Sequence, residues 1–397
     1  MRKDWQTQRL ADVCEKITDG SHNPPKGVEC SNYLMLSSKN VFDDNLHFED
    51  PRYLSESDFR LEDKRTGIKV GDVLLTIVGT IGRSAVIPPH TKKLALQRSV
   101  AVIRPEKESL SPRFLMYFFI SHNDVLNDQS RGVAQKGIYL ETLRDLPVDF
   151  PPLPEQQRIV GILDEAFDGL ATAKANAETN LHNARALFES HLQSAFTQQG
   201  KGWEKLQLIS VCDLFVDSAH RTPKYQDDGI PALRPRDVVN GKLNLEGALR
   251  VCEEEYEIQS KRYKPKSGDI VYSRELSYGW AALLPKSPRV CLSQGMCLFR
   301  PSFKLEASFL LYVLNGSIGR EQATRAAVGA AHPHINLGDI KSYLIPMPPL
   351  EIQRQIIEQL NALQEETQRL ESIYQQKLAA LDELKKSLLH QAFTGQL

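Results

Sequence analysis

Residues 150–197 are written a second time, without a gap, 197 positions later, as residues 347–394. Pro151-Pro152-Leu153 returns as Pro348-Pro349-Leu350, and Gln156, Ile159 and Leu163 return as Gln353, Ile356 and Leu360. At the far end Leu181, Leu187, Ser190, Leu192, Ala195, Phe196 and Thr197 recur as Leu378, Leu384, Ser387, Leu389, Ala392, Phe393 and Thr394. A chain of this kind folds as two tandem halves, each a globular region followed by one long helix. Two similar halves present two equivalent surfaces.

The helical character follows from the spacing of apolar residues. Ile356, Leu360, Leu363, Thr367, Leu370, Tyr374, Lys377, Leu381, Leu384 and Leu388 alternate steps of four and three, a heptad seam. The matching seam is Ile159, Leu163, Ala166, Leu170, Ala173, Ala177, Asn180, Ala184 and Leu187, alanine-rich where its twin is leucine-rich. Small residues facing large ones let two helices approach and interdigitate. Prolines 151, 152, 154, 348 and 349 mark the two helix starts. A helix of about 43 residues runs roughly 65 Å. An intervening compact domain is only about 40 Å across. The end of the first helix and the start of the second should therefore lie close together, so the helices are expected to run antiparallel.

The globular halves repeat as well. Trp5, Leu10, Val13, Cys14, Asp19, His22, Pro25 and Lys26 match Trp203, Leu208, Val211, Cys212, Asp217, His220, Pro223 and Lys224. Lys64-Arg65 matches Lys261-Arg262, Gly71-Asp72-Val73 matches Gly268-Asp269-Ile270, and Gly82 and Gln97 match Gly279 and Gln294. Between these points the halves diverge, so they share a scaffold and differ in its loops. Val73–Val78, Ala85–Ile87, Leu94–Leu96 and Val100–Ile103 read as strands and Pro112–Ser121 as a helix. The same series recurs at Ile270–Ser273, Ala281–Leu284, Val290–Leu292, Cys297–Phe299 and Ser308–Asn315.

Composition excludes several classes. No run of about 18 apolar residues predicts a membrane span. The opening Met1-Arg2-Lys3-Asp4-Trp5 lacks a signal-peptide core, and none of the six cysteines forms a C-x-x-C pair. Reduced thiols and a cytoplasmic location are expected, with no metal site. Residues 155–197 carry a net −3 and residues 351–397 a net −2, so the globular parts hold an excess of four positive charges. That permits nucleic acid there without requiring it.

Catalytic motifs are missing. Asn23-Pro24-Pro25 resembles the base-binding loop of amino-methyltransferases, but Lys26 stands where a stacking aromatic is needed. Gly79-Thr80-Ile81-Gly82 is too sparse for a nucleotide fingerprint, and Gly200-Lys201-Gly202 lacks the spacing of a phosphate loop. What remains is a set of loop residues able to pair with base edges. In the first half these are His22, Asn23, Lys26, Arg83, Gln97, Arg98, Gln135 and Lys136. In the second they are His220, Arg221, Lys224, Arg234, Arg236, Arg274, Tyr278, Trp280, Gln294, His332, His334 and Asn336. Asp19 and Asp217 are expected to stabilise turns.

The whole chain resembles the specificity (HsdS) subunits of Type I restriction–modification systems. The resemblance rests on Phe150-Pro151-Pro152-Leu153-Pro154-Glu155-Gln156-Gln157-Arg158-Ile159-Val160, on its copy from Pro346 to Ile357, and on the ending Gln391-Ala392-Phe393-Thr394-Gly395-Gln396-Leu397. Asp19-Gly20-Ser21-His22, Thr222-Pro223-Lys224-Tyr225, and Gly137-Ile138-Tyr139-Leu140 opposite His334-Ile335-Asn336-Leu337 add to it. In the second half Ser218 replaces the glycine of the Asp-Gly pair. The resemblance implies an α+β fold with two mixed α/β target recognition domains. These would be joined by two long helices in an antiparallel coiled coil with pseudo-twofold symmetry. The expected division is residues 1–149 and 200–346 for the recognition domains, and 150–199 and 347–397 for the helices. It implies double-stranded DNA as the ligand and two modification (methyltransferase) subunits as partners, which would hold S-adenosylmethionine. Restriction subunits using ATP and Mg would join for cleavage, and this chain itself would need no cofactor and catalyse nothing. The competing reading is a coiled-coil scaffold with two protein-binding heads and no DNA role.

Overall fold

A computed structural model describes residues 4–91, 93–130, 136–197, 203–287 and 289–397. The chain divides into two compact units, Met1–Ala177 with Gln376–Leu397, and Glu178–Gln375. The boundary falls inside both long helices, Leu153–Thr197 and Leu350–Thr394. Each unit thus holds the start of one helix and the end of the other.

In the first unit a four-stranded antiparallel sheet has the order Cys14–Asp19, Val100–Pro105, Val73–Thr76, Ser84–Val86. A three-stranded sheet orders Arg52–Tyr53, Tyr33–Leu36 and Lys93–Leu96, the last pair parallel. Gln6–Arg9 pairs with Pro147–Phe150, closing the domain just before the long helix begins. The second unit repeats this order. Its four strands are Cys212–Asp217, Met296–Pro301, Ile270–Ser273 and Ala281–Leu283, its three are Leu249–Val251, Ile230–Leu233 and Cys291–Leu292, and Glu204–Gln207 pairs with Leu344–Met347.

The matched Gly-Asp pairs have a structural cause. Asp72 and Asp269 are almost fully buried, and each accepts two hydrogen bonds from an arginine of the neighbouring strand, Arg104 and Arg300. Each carboxylate also accepts a backbone N–H, from Lys69 and Lys266, which fixes the turn.

One core serves sheet and helices together. In the first unit Phe114–Phe119 of the helix Pro112–Ser121 are buried against the sheet on one side. On the other side lie Ile159 and Leu163 from the first long helix and Leu389, Ala392 and Phe393 from the second. In the second unit Phe309, Leu310, Val313 and Leu314 meet Ile356, Leu360, Leu192 and Phe196 in the same way.

The buried glutamines Gln156 and Gln353 lock this joint. Gln156 accepts a hydrogen bond from the Ser111 N–H and donates to the carbonyls of Ser109 and Pro151. Gln353 makes the same three bonds, to Glu306 N–H and the carbonyls of Lys304 and Pro348. Each satisfies an otherwise unpaired donor at a helix N-terminus.

Within each unit the two helical segments run antiparallel. Arg158 donates to the Leu397 carbonyl, and Lys174 pairs with Asp382 at 3.0 Å. In the second unit Arg185 pairs with Glu371 at 2.9 Å, and Leu192 and Phe196 share a core with Ile356 and Leu360. The seam departs from the expected heptads at the same place in both copies. Asn180 and Leu187, and likewise Lys377 and Leu384, are exposed, while Leu181 and Phe188, and Leu378 and Lys385, turn inward. A straight helix has 3.6 residues per turn and drifts about 20° per heptad, so a strict 3.5 repeat loses phase after a few turns.

Candidate nucleic-acid interface

Five loops converge at one edge of the first unit, tied by backbone hydrogen bonds, and three of the four bonds recur in the second. In the first unit Gln97 N–H donates to Leu36 O, Arg98 N–H to Ser21 O, Ile77 N–H to Ser99 O, and Ile138 N–H to Ile77 O. In the second unit Ser293 N–H donates to Leu233 O, Arg274 N–H to Gly295 O, and Ile335 N–H to Arg274 O. The backbone frame is therefore shared, while the side chains on it differ.

The matched aspartates hold these loops by different means. Asp19 takes the guanidinium of Arg65, which also donates to the Asp19 carbonyl, and its other carboxylate oxygen meets His22 Nε2 at 2.7 Å. Arg65 arrives from the last turn of the helix Glu56–Thr66. The corresponding helix, Glu253–Gln259, is shorter, and Arg262, the counterpart of Arg65, is exposed. Asp217 faces Arg274 at 3.5 Å instead, with His220 at 3.3 Å. Arg274 stands at the position of Ile77, so a charge supplied by a helix in one unit comes from a strand end in the other. In the first unit the space beside Ile77 and Gly137 remains a cavity of about 620 Å³, bordered by Asp19, His22, Arg65 and Arg98.

The sequence-derived candidates separate into two groups. Asn23, Lys26, Arg98, Lys136, Lys224, Arg236 and Gln294 are exposed, with no side-chain hydrogen bond or ion pair among the described residues. His332 is likewise exposed with no side-chain hydrogen bond among the described residues, and the others are committed to the fold to varying degrees. Arg234 pairs bidentately with Asp237, and its side chain is only 13% exposed; that of Arg274 is 12% exposed. Both side chains are largely buried and face a carboxylate, Asp237 and Asp217 respectively. Arg221 pairs with the buried Glu255 but stays half open to solvent. Arg83 lies over the Phe42 ring, and Gln97 accepts from Ser99 Oγ. Tyr278 and Trp280 engage Arg320, through a carbonyl and a ring face. Asn336 stands at the N-cap position of the helix Leu337–Lys341 and its amide donates to the Asp339 carboxylate, while His334 faces the carbonyl of the exposed His332. Gln135 lies outside the described residues. Sequence reasoning missed Arg65, although the repeated Lys-Arg pair had signalled it.

The family comparison decides what such paired loop clusters belong to. The family described as the Type I restriction modification DNA specificity domain matches this chain twice, over residues 2–180 and 200–379. The chain belongs to that family. Among similar curated proteins, the Type I restriction enzyme EcoBI specificity subunit of Escherichia coli is 22% identical over 328 residues, covering 76% of this chain and 69% of that protein. The putative type I restriction enzyme MjaX specificity subunit of Methanocaldococcus jannaschii is 22% identical over 424 residues, covering 100% of this chain and 94% of its own. Among solved structures, the HsdS subunit of Thermoanaerobacter tengcongensis superposes with a TM-score of 0.63 at 20% identity, covering 100% of this chain and 98% of that one. A chain from a study of complex assembly and conformational transition in a type I R-M system gives 0.77 at 20% identity, over 100% and 99%. As a member of the specificity family, this protein carries the DNA-recognition role, and its two matched segments each contain one loop cluster. Among the described residues no helix is long and apolar enough to cross a membrane.

Proposed function

We propose that each unit reads one half of a bipartite double-stranded DNA target, and that the paired helices fix the distance between the halves. Residues 1–149 and 200–346 act as the recognition domains, residues 150–199 and 347–397 as spacer and docking surface. One observation supports this reading most strongly: three of the four backbone bonds that tie the loop cluster of the first unit recur in the second, and the side chains on that frame differ. A shared frame with divergent loops suits two recognition events of one kind with two different sequences.

Methyl transfer and cleavage belong, in this reading, to partner subunits in the cytoplasm. Two modification subunits would bring S-adenosylmethionine, and restriction subunits ATP and Mg. The chain itself contributes position and sequence choice. The exposed and unpaired Lys26, Arg98, Lys136, Lys224 and Arg236 supply cations for phosphates or guanine edges, and Asn23 and Gln294 supply the amides that suit adenine.

The test is to express the chain with its methyltransferase partner in a host lacking both and to sequence the modified genome for methylated adenines. A two-part motif with a fixed gap is the expected outcome. Methyl transfer from labelled S-adenosylmethionine by the purified chain alone, abolished in Asn23→Ala, would overturn the division of labour.

A further inference from the structure

Leu276 holds a backbone conformation that its residue type disfavours. Five non-glycine residues have positive φ among those described, and four of them are Asp44, Asp50, His90 and Asn240, types that tolerate the left-handed region. The fifth is Leu276, at φ +57°. An L side chain there brings its Cβ against the following carbonyl oxygen. The repeat shows the unstrained solution: the matching position of the first unit is Gly79, at φ +82°.

Burial does not offset this strain, because Leu276 is 59% exposed. Its loop is nonetheless firmly held. Leu276 N–H donates to Pro333 O, Gly279 N–H to Ser273 O, and Ser277 Oγ to Pro235 O. Those partners belong to the loop cluster, beside His334 and Arg236, and Arg274 ties the same loop to Gly295, next to Gln294. A strained conformation fixed from several sides, presenting an apolar side chain to solvent among polar donors, is the pattern of a contact residue.

We infer that Leu276 makes the apolar base contact of the second half-site, against a thymine methyl group or an exposed base face, and so helps set its sequence. The inference rests on the DNA-reading role proposed above. A duplex offers both kinds of apolar feature to a side chain of this shape.

The full chain with its methyltransferase partner provides the test, comparing wild type with Leu276→Gly. Wild type first yields its methylated motif by genome sequencing, and that motif then supplies a synthetic duplex. Leu276→Gly should melt no lower than wild type, since glycine relieves the strain. It should relax one base position in one half of the motif, leave the other half intact, and bind the duplex about tenfold more weakly. Replacing thymine by deoxyuridine in that half should reproduce the loss in wild type if a methyl group is the contact, and should not if a base face is. An unchanged motif with unchanged affinity would overturn the inference while leaving the function intact. So would a lowered melting temperature with the motif unchanged. A wild-type chain that yields no two-part motif would instead remove the proposed function, and this inference with it.

Discussion

Arg274 shows how far a residue type alone carries an argument. An arginine in a loop of a DNA-recognition protein suggests a base contact, yet the side chain lies beside the Asp217 carboxylate, and its Nε is buried without a hydrogen-bond partner. Nothing local in the sequence separates such an arginine from the exposed Arg236. Arg274→Ala leaves Asp217 with His220 alone and should cost about 3 kcal/mol of stability in urea unfolding, without a selective change at one base. Lys224→Ala should instead leave stability unchanged and weaken DNA binding. A uniform loss across sequences with a shallower salt dependence would identify a phosphate contact, and a loss confined to one base position a base contact. The cysteines were legible as free thiols, but their reactivity depends on burial. Cys30 and Cys252 are exposed, Cys14 and Cys212 are partly buried with thiols pushed up to about 12, and Cys291 and Cys297 are buried. Burial is the main cause, and raising the thiol pKa reduces the reactive thiolate. A maleimide at pH 7.5 should label Cys30 and Cys252 quickly and the other four only after unfolding.

The strands and helices were legible at the element scale because their periods are simple. Residues 73–75 and 100–103 are continuous apolar runs that become the buried parts of the central strands, and the heptads located both long helices. What the pattern could not give was its phase beyond Ala177 and Tyr374, where a fixed 3.5 spacing and a straight helix part company. Nor could it give the role of Gln156 and Gln353, since a repeated glutamine near a helix start reads as a surface residue. Each fills three hydrogen bonds in a fully buried site. Gln156→Leu leaves those groups unpaired and should cost about 3 kcal/mol, visible as a lower melting temperature. Gln353→Leu should do the same in the second unit.

For the whole molecule, the repeat carries a consequence that the cores make concrete. The first unit completes its core with Leu389, Ala392 and Phe393, and Leu192, Ala195 and Phe196 are the same residues at the end of the first helix. A fragment of residues 1–200 lacks the former but carries the latter, so a second copy can supply them. The fragment should form a symmetric dimer by analytical ultracentrifugation, and with the methyltransferase it should modify a palindrome of the first half-site. A fragment that stays monomeric at high concentration would show that the alanine-rich seams cannot face each other. The central claim, that each unit reads its own half of the target, is tested most directly by exchange. Residues 203–340 are replaced by the equivalent region of another family member, and the methylated motif is read from the genome of cells expressing the chimera with the methyltransferase. One half of the motif should change to that of the donor while the other half and the gap remain. A motif altered in both halves, or in neither, would contradict the account.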